Sequence, residues 1–233
     1  MKVKIAHLYY DLLNLYGEQG NVLALKNALT NQKVKVEVQQ LTIGDKIDFD
    51  KYDIFYMGMG SNENIALVID DIIKYHEDIK KVIQKNKFFI ATGNSYELFG
   101  QFIEMDNHKY KTLEIFNYYS KENPKRITGE TFVEFKGLSP IIGFQNRICC
   151  TINEEKHLFK VLKGFASNSG SEFEGYRENN FFGTHLLGPL LIRNPHFTDY
   201  LVKEIIGKKW QKRERGLEDK AYDEYIKNFY EKS

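Results

Sequence analysis

The chain has 233 residues, with 33 lysines and arginines against 32 aspartates and glutamates, for a formal net charge of +1. So balanced a charge argues against a dedicated nucleic-acid-binding protein. With 42% hydrophobic residues and 4 prolines, the composition is typical of a globular protein and not of a disordered one. The two cysteines, Cys149 and Cys150, are adjacent, a spacing that suits neither a disulfide scaffold nor a zinc site.

The amino-terminal stretch does not have the pattern of a targeting segment. Lys2 and Lys4 lie within it, and Asp11 interrupts its apolar residues. No uninterrupted run in the chain approaches the ~18 apolar residues of a membrane-spanning helix. We therefore predict a cytoplasmic protein without a signal peptide or a membrane span.

Strands and helices alternate in the first half of the chain. The predicted strands share an apolar or period-two pattern and cover residues 3–8, 34–38, 53–57 and 88–92. Apolar residues recur at helical spacing over residues 22–29 and, as one long stripe, over residues 65–83. This order predicts right-handed crossovers and a mostly parallel α/β sheet.

The second half of the chain changes character. Between about Asn107 and Gly164, short aromatic-rich strands such as Leu113–Tyr119 and Thr131–Phe135 predict an antiparallel flank. A late strand and its turn follow at 181–191, and Pro195 is well placed in the first turn of a helix that reaches about Ile206. Residues 1–206 are thus predicted to form one domain and 207–233 a charged helical extension. We expect the helix of this extension to pack on its own domain, with packing on a partner as the alternative.

Two glycine-containing loops come directly after predicted strands. The first is Gly58-Met59-Gly60-Ser61-Asn62, and the second begins Gly93-Asn94-Ser95-Tyr96. In an open α/β sheet, a tight turn between a strand and a helix is where reactive side chains are displayed. Here the turn position is Gly93, which has no side chain to react.

Three motifs, in a fixed order, resemble those of a known family. They are the stretch from Ala6 to Asn21 with Leu15-Tyr16-Gly17-Glu18-Gln19-Gly20-Asn21, the tetrapeptide Gly143-Phe144-Gln145-Asn146, and Gly183-Thr184-His185-Leu186-Leu187-Gly188-Pro189 followed by Arg193-Asn194-Pro195. Together they resemble the GatD-type glutaminase subunit of lipid II isoglutaminyl synthase, a CobB/CobQ-like class I glutamine amidotransferase. The resemblance covers residues 3–206. It implies a flavodoxin- or Rossmann-like three-layer α/β sandwich, mostly parallel, with an antiparallel flank.

The resemblance also implies a chemistry, and the residues that would carry it are replaced. In the family a cysteine thiolate attacks the glutamine carboxamide with the help of a histidine, and backbone N–H groups hold the oxyanion. The family elbow, Cys-Gly-Gly-aromatic-Gln-Leu-x-Gly, places Gly93 at the cysteine and Tyr96 and Glu97 at the aromatic residue and the glutamine. The family histidine falls on Leu187, and the middle glycine of the oxyanion loop on Met59. The resemblance therefore implies a degenerate subunit without glutaminase activity, and we predict neither a metal nor a cofactor.

Three hypotheses follow. In the first, the chain is a non-catalytic partner of a Mur-ligase-like, ATP-dependent synthetase that amidates a peptidoglycan precursor. In the second, it is a sensor that binds a small ligand in the old glutamine pocket, made more apolar by Met59 and Leu187 and edged by Ser61, Asn62 and Asn94.

The third hypothesis is a glutaminase with relocated catalytic residues, Ser95 or His185. His185 lies two residues before Leu187 and on a strand would share its face and cavity, although strand packing is the simpler interpretation. Ser95 is expected to face away from the pocket. Cys149 and Cys150 are interpreted as buried strand residues away from the elbow. A nucleic-acid role would rest only on the basic run 208–215, which we interpret as a solvated helix face.

Overall fold

A mixed sheet of eleven strands runs through the centre of the protein, in a computed structural model that describes residues 1–153 and 155–231. In chain order the strands are β1 (Lys2–Leu8), β2 (Lys35–Leu41), β3 (Ile54–Met57), β4 (Phe88–Thr92), β5 (Phe102–Met105), β6 (His108–Lys111), β7 (Tyr119–Phe135), β8 (Leu138–Ile152), β9 (His157–Lys163), β10 (Phe173–Glu178) and β11 (Phe181–Thr184). The α-helices are α1 (Gln19–Asn31), α2 (Asn62–Ile72), α3 (His76–Gln84), α4 (Leu190–Arg193), α5 (Pro195–Ile206) and α6 (Leu217–Phe229).

The sheet has a parallel half and a largely antiparallel half. Its strand order is β2-β1-β3-β4-β11-β10-β9-β7-β5-β6, with β8 paired to β7. The pairs from β2 to β11 are all parallel. In the other half the pairs are antiparallel, except that β7 pairs parallel with β5. The α/β class with an antiparallel flank is therefore confirmed, and the flank contributes more than half of the strands.

Helices cover both faces of the parallel half, which gives three layers. Phe55 and Met57 pack with the apolar faces of α2 and α3. Their neighbours Ile54 and Tyr56 point the other way and pack with α1 and α5. This alternation follows from the period of two along a strand, and a strand buried on both faces accordingly reads as a continuous apolar run.

Two predicted elements differ in the structure. The stripe at residues 65–83 is not one helix, because a 3₁₀ turn at Ile73–Tyr75 separates α2 from α3. Tyr75 donates a hydrogen bond to the carbonyl of Asp45 and packs against Phe49, so tertiary contacts hold this turn. Leu113 to Tyr118 is not a strand either. The backbone there takes a positive φ at Glu114 and bonds to carbonyls at residues 98–100.

The carboxyl-terminal helix α6 packs on the antiparallel half of the sheet. The hydroxyl of Tyr222 donates to the carbonyl of Pro140 at 2.6 Å, and the ring of Tyr230 lies 5.1 Å from that of Phe132. Arg193 of α4 stacks over Tyr225, 4.7 Å from the ring centroid. Within the described residues, none of the helices combines the length and the apolar character needed to cross a bilayer.

Candidate functional site

The turn after β4 has the backbone of a strained elbow. Gly93 takes φ +64°, in the left-handed region that side chains other than glycine rarely adopt. A short 3₁₀ helix, Gly93–Phe99, follows it in place of the α-helix compatible with the sequence. Glycine relieves the strain of this turn, but it also leaves the turn without a functional group.

Three positions from distant parts of the chain meet at this elbow. A Cβ atom on Gly93 would lie 2.5 Å from Cβ and 2.8 Å from Cγ of Met59, and 3.0 Å from Cδ2 of Leu187. Met59 follows β3, and Leu187 follows β11, the two strands that flank β4 in the sheet. The positions that the family resemblance assigned to the nucleophile, the oxyanion loop and the histidine are therefore adjacent in space. Two apolar side chains fill the space in front of the elbow.

The loop from Gly58 to Asn62 is held by hydrogen bonds within the chain. The side chain of Asn94 clamps Gly60: its Oδ1 accepts from the Gly60 N–H at 3.1 Å, and its Nδ2 donates to the Gly60 carbonyl at 2.9 Å. Ser61 caps α2 by accepting from the N–H of Asn64. A backbone N–H that could face an oxyanion at this loop is therefore already occupied by an amide side chain.

Leu187 is tied to the middle motif of the sequence. Its N–H donates to the carbonyl of Phe144 at 2.8 Å, and the Phe144 N–H donates back at 3.2 Å. Asn146, two residues on, donates from Nδ2 to the hydroxyl of Tyr16 at 2.6 Å. All three motifs that carried the family resemblance thus converge on the elbow.

The space that remains beside the elbow is small. A cavity of about 30 Å³ is lined by residues of the loop, the elbow and the antiparallel strands: Met59, Asn62, Ile65, Asn94, Glu97, Met105, Arg126, Asn146, Arg147, Ile148 and Cys149. Such a volume suits a water molecule or two, whereas ligand pockets usually measure about 300–1,000 Å³. The cavity is too small for a glutamine side chain and its backbone.

His185 and Ser95 do not reach this cavity. His185 is fully buried with its ring 4.6 Å from that of Tyr96, and neither His185 nor Leu187 is among the residues that line the cavity. Strand β11 ends at Thr184, so the strand alternation does not continue to Leu187. Ser95 is also buried, its hydroxyl donates to the carbonyls of Met57 and Thr92, and it is not among the residues that line the cavity.

A buried group of ionisable side chains lies behind the elbow. Nε2 of His185 is 3.0 Å from Oε1 of Glu97. The carboxyl group of Glu174 accepts hydrogen bonds from the backbone N–H of His185 at 2.7 Å and from the Thr184 hydroxyl at 2.5 Å. Burial raises the pKa of Glu97 to about 8 and that of Glu174 to about 7. Burial, with a contribution from the charge of Arg147, holds the pKa of His185 well below its ordinary value. At neutral pH both Glu97 and His185 are thus mainly uncharged.

Cys149 corrects one expectation. It lies on β8 and is buried, as predicted, but it lines the small cavity together with Met59 and Asn94, so it is not remote from the elbow. Burial, followed by the charge of Glu97, raises the pKa of its thiol far above the ordinary value. A thiol in this environment stays protonated at neutral pH and is a poor nucleophile.

A third buried carboxyl, in addition to those of Glu97 and Glu174, is not marked by any sequence pattern. Glu18, at the start of α1, accepts hydrogen bonds from the hydroxyls of Tyr56 (2.6 Å) and Thr92. It therefore links the start of α1 to the carboxyl ends of β3 and β4, directly before the loop and the elbow. Burial raises its pKa to about 7. No local signal in the sequence marks Glu18, because its motif also contains the polar residues Gln19 and Asn21. Among the described residues no cluster of His, Cys, Asp or Glu has the arrangement of a metal site.

The fold and the elbow define a class. The model of the CobB/CobQ-like glutamine amidotransferase domain matches residues 4–195, and the chain belongs to this family. Among curated proteins it is similar to subunit GatD of the glutamine-hydrolysing lipid II isoglutaminyl synthase of Staphylococcus aureus, at 30% identity over 89% of this chain and 86% of that protein. The GatD subunit of Streptococcus pneumoniae is 28% identical over 90% and 82%.

Solved structures share the fold at low sequence identity. PurLQS from Thermotoga maritima superposes with a TM-score of 0.54 at 15% identity, over 97% of this chain and 100% of that one. A glutamine amidotransferase from the same organism gives a TM-score of 0.53 at 12% identity, over 97% and 90%. These structures support the architecture and carry no argument about the reaction.

Proposed function

We propose that this chain is a GatD-like subunit that has lost glutaminase activity and acts as a structural or regulatory partner of a Mur-ligase-like amide synthetase. The amidation of a cell-wall peptidoglycan precursor is the process in which we place it. The two curated relatives are named as subunits of lipid II isoglutaminyl synthase, which supports both the process and the existence of a partner chain. In this proposal the synthetase takes ammonia from solution, because the chain supplies none.

The observation that carries the loss of catalysis is the contact of Met59 and Leu187 with the elbow. The elbow position has no thiol, and the atoms of Met59 lie where the side chain of a nucleophile would have to stand. The position aligned with the general base is an aliphatic side chain, which can accept no proton. Nucleophilic attack and its proton transfer thus both lack their chemical group.

The buried candidates for relocated catalysis do not replace these groups. The Ser95 hydroxyl bonds to two backbone carbonyls, and no base lies within hydrogen-bond distance of it in the described part of the chain. His185 is enclosed with Glu97 and Glu174 and does not itself line the cavity. The Cys149 thiol is held protonated. These environments favour the non-catalytic subunit over a glutaminase with new catalytic residues.

The sensor hypothesis has less support at this site. The cavity of about 30 Å³ is an order of magnitude below the usual range for a small-molecule pocket, about 300–1,000 Å³. Met59, Leu187 and the Asn94 clamp occupy the space that the hypothesis requires.

Two measurements test the proposal. Affinity-tagged protein from its own cells should co-purify with a Mur-ligase-like chain, and that assembly should amidate its substrate with ammonium salts but not with glutamine. Purified protein with glutamine should release no more glutamate than buffer, and a glutamine-analogue electrophile should not label it. A strictly monomeric protein in cell extracts would contradict the partner role, and glutamate release would contradict the loss of catalysis.

A further inference from the structure

A second, much larger concavity lies far from the elbow in sequence. It is a groove of about 660 Å³ between α5, the connecting segment 207–216 and α6, and this volume is within the usual range of ligand pockets, about 300–1,000 Å³. Ten of its thirteen lining residues follow residue 195, where the match to the family model ends. The groove thus lies mostly outside the stretch that the family model matches, and it is separate from the elbow.

The groove carries three lysines that have no acidic partner among the described residues. Lys136, Lys203 and Lys212 line it, and none of them forms an ion pair with any residue the structure describes. The neighbouring Arg213, by contrast, is engaged with Asp199 and Asp219 at 3.0 Å and 2.5 Å. The arginine holds the start of α6 in place, and the lysines remain available to an anion.

Aromatic rings stand beside these cations. The ammonium of Lys203 lies 5.4 Å from the ring centroid of Trp210, and that of Lys136 lies 5.5 Å from the ring of Tyr200. Tyr222 contributes a third ring to the lining. A ligand that fits these walls needs a flat apolar part and a negative charge close to it.

We propose that this groove binds a small anion attached to a flat ring system, the chemistry of a nucleoside phosphate. The base lies against Trp210 and Tyr200, since stacking on aromatic side chains tolerates any base. The phosphates lie among Lys136, Lys203 and Lys212, whose ammonium groups are compact point charges suited to phosphate oxygens. The proposal does not depend on the function proposed for the elbow, because the two sites share no residues.

The chain has one tryptophan, Trp210, so its intrinsic fluorescence reports on this groove directly. Titration of the full-length protein with ATP at low ionic strength should give a saturable change in fluorescence with a dissociation constant below about 1 mM. Adenosine alone and tripolyphosphate alone should each bind at least ~10-fold more weakly, since each offers half of the recognition. Added salt should weaken the binding of ATP.

Variants separate the groove from the rest of the surface. Lys203→Ala with Lys212→Ala should weaken ATP binding at least ~10-fold, whereas Lys220→Ala with Lys227→Ala, two exposed lysines on α6 outside the groove, should leave it unchanged. Equal melting temperatures of the variants show that each is folded. The proposal is overturned if ATP gives no saturable change up to about 5 mM, or if the two double variants bind alike. Binding of tripolyphosphate as tight as that of ATP, or tighter binding of a short single-stranded oligonucleotide, would also overturn it.

Discussion

A Cβ atom on Gly93 would lie 2.5 Å from Cβ of Met59, so the two residues exclude a side chain at the elbow. Since the obstructing atom is a Cβ, which is fixed to the backbone, no rotamer change of Met59 removes the contact. The 3.0 Å approach to Leu187 is different, because Cδ2 lies at the end of a flexible side chain and can shift. Met59 is therefore the residue that closes the elbow.

This contact predicts a stability coupling between the two positions. Gly93→Ala should destabilise the protein by roughly 2 kcal/mol or more. The added Cβ overpacks the contact with Met59, and alanine is strained in the left-handed backbone conformation of this residue. In a Met59→Gly background the same change should cost less, because the obstructing Cβ is absent. In a Met59→Ala background, which keeps that Cβ, the cost should persist. Urea unfolding of the six proteins measures the difference, and equal costs of Gly93→Ala in all three backgrounds would disprove the coupling.

Reconstruction of the elbow should restore chemistry. The triple variant Gly93→Cys, Met59→Gly, Leu187→His should release glutamate from glutamine above the level of the starting protein. A double variant without Leu187→His should be slower by about 10²–10⁴, the usual contribution of a general base. The triple variant with Gly93→Ser in place of Gly93→Cys is the matched control. Inactivity of a folded triple variant would show that the pocket differs from the family in more than these three positions.

The Asn94 clamp predicts a local effect on the loop. Asn94→Ala removes both hydrogen bonds to Gly60, which should lower the free energy of unfolding by about 1–3 kcal/mol and speed hydrogen exchange at the Gly60 amide. Asn62→Ala, in the same loop and at the same cavity, serves as a control and should have less than half the effect. If the two variants exchange alike at Gly60, the clamp is not what holds the loop.

The buried Glu97 predicts a dependence of stability on pH. Its pKa is raised from 4.5 to about 8 in the folded protein, so the folded state binds more protons than the unfolded state between these values. Its contribution is fully present below pH 4.5 and is lost as the pH rises through 8. The wild type should therefore lose stability between pH 6 and pH 8.5 relative to Glu97→Gln, which cannot ionise. Urea midpoints across that range measure it. Parallel curves for the two proteins would mean that Glu97 does not titrate there.

Much of the parallel half follows from local patterns. The strand at 88–92 has the predicted bounds, and the sites after β3, β4 and β11 meet because the carboxyl ends of parallel strands share one edge of a sheet. The proximity of Met59, Gly93 and Leu187 therefore follows from their positions at the carboxyl ends of three neighbouring strands.

The rest depended on packing that no local pattern contains. The break between α2 and α3 comes from contacts of Tyr75 with residues about thirty positions earlier. The pairing of Glu97 with His185 joins positions 88 residues apart, and no local sequence pattern around either residue predicts the contact. Cys149 reaches the cavity because β8 runs along its wall, a register that the sequence pattern of the antiparallel half left open.

The closure of the elbow by Met59 also bears on the history of the chain. A mutation to cysteine at position 93 that arises first places its side chain against Met59, which should lower the free energy of unfolding without giving activity. A mutation to glycine at position 59 that arises first opens a cavity, with its own penalty of a few kcal/mol, and again no activity. Each single step away from the present pair is therefore expected to destabilise the fold without restoring the chemistry, although the double change is sterically compatible. Under the proposed loss of catalysis, this pair of residues would hold the chain to uses of the scaffold that need no nucleophile.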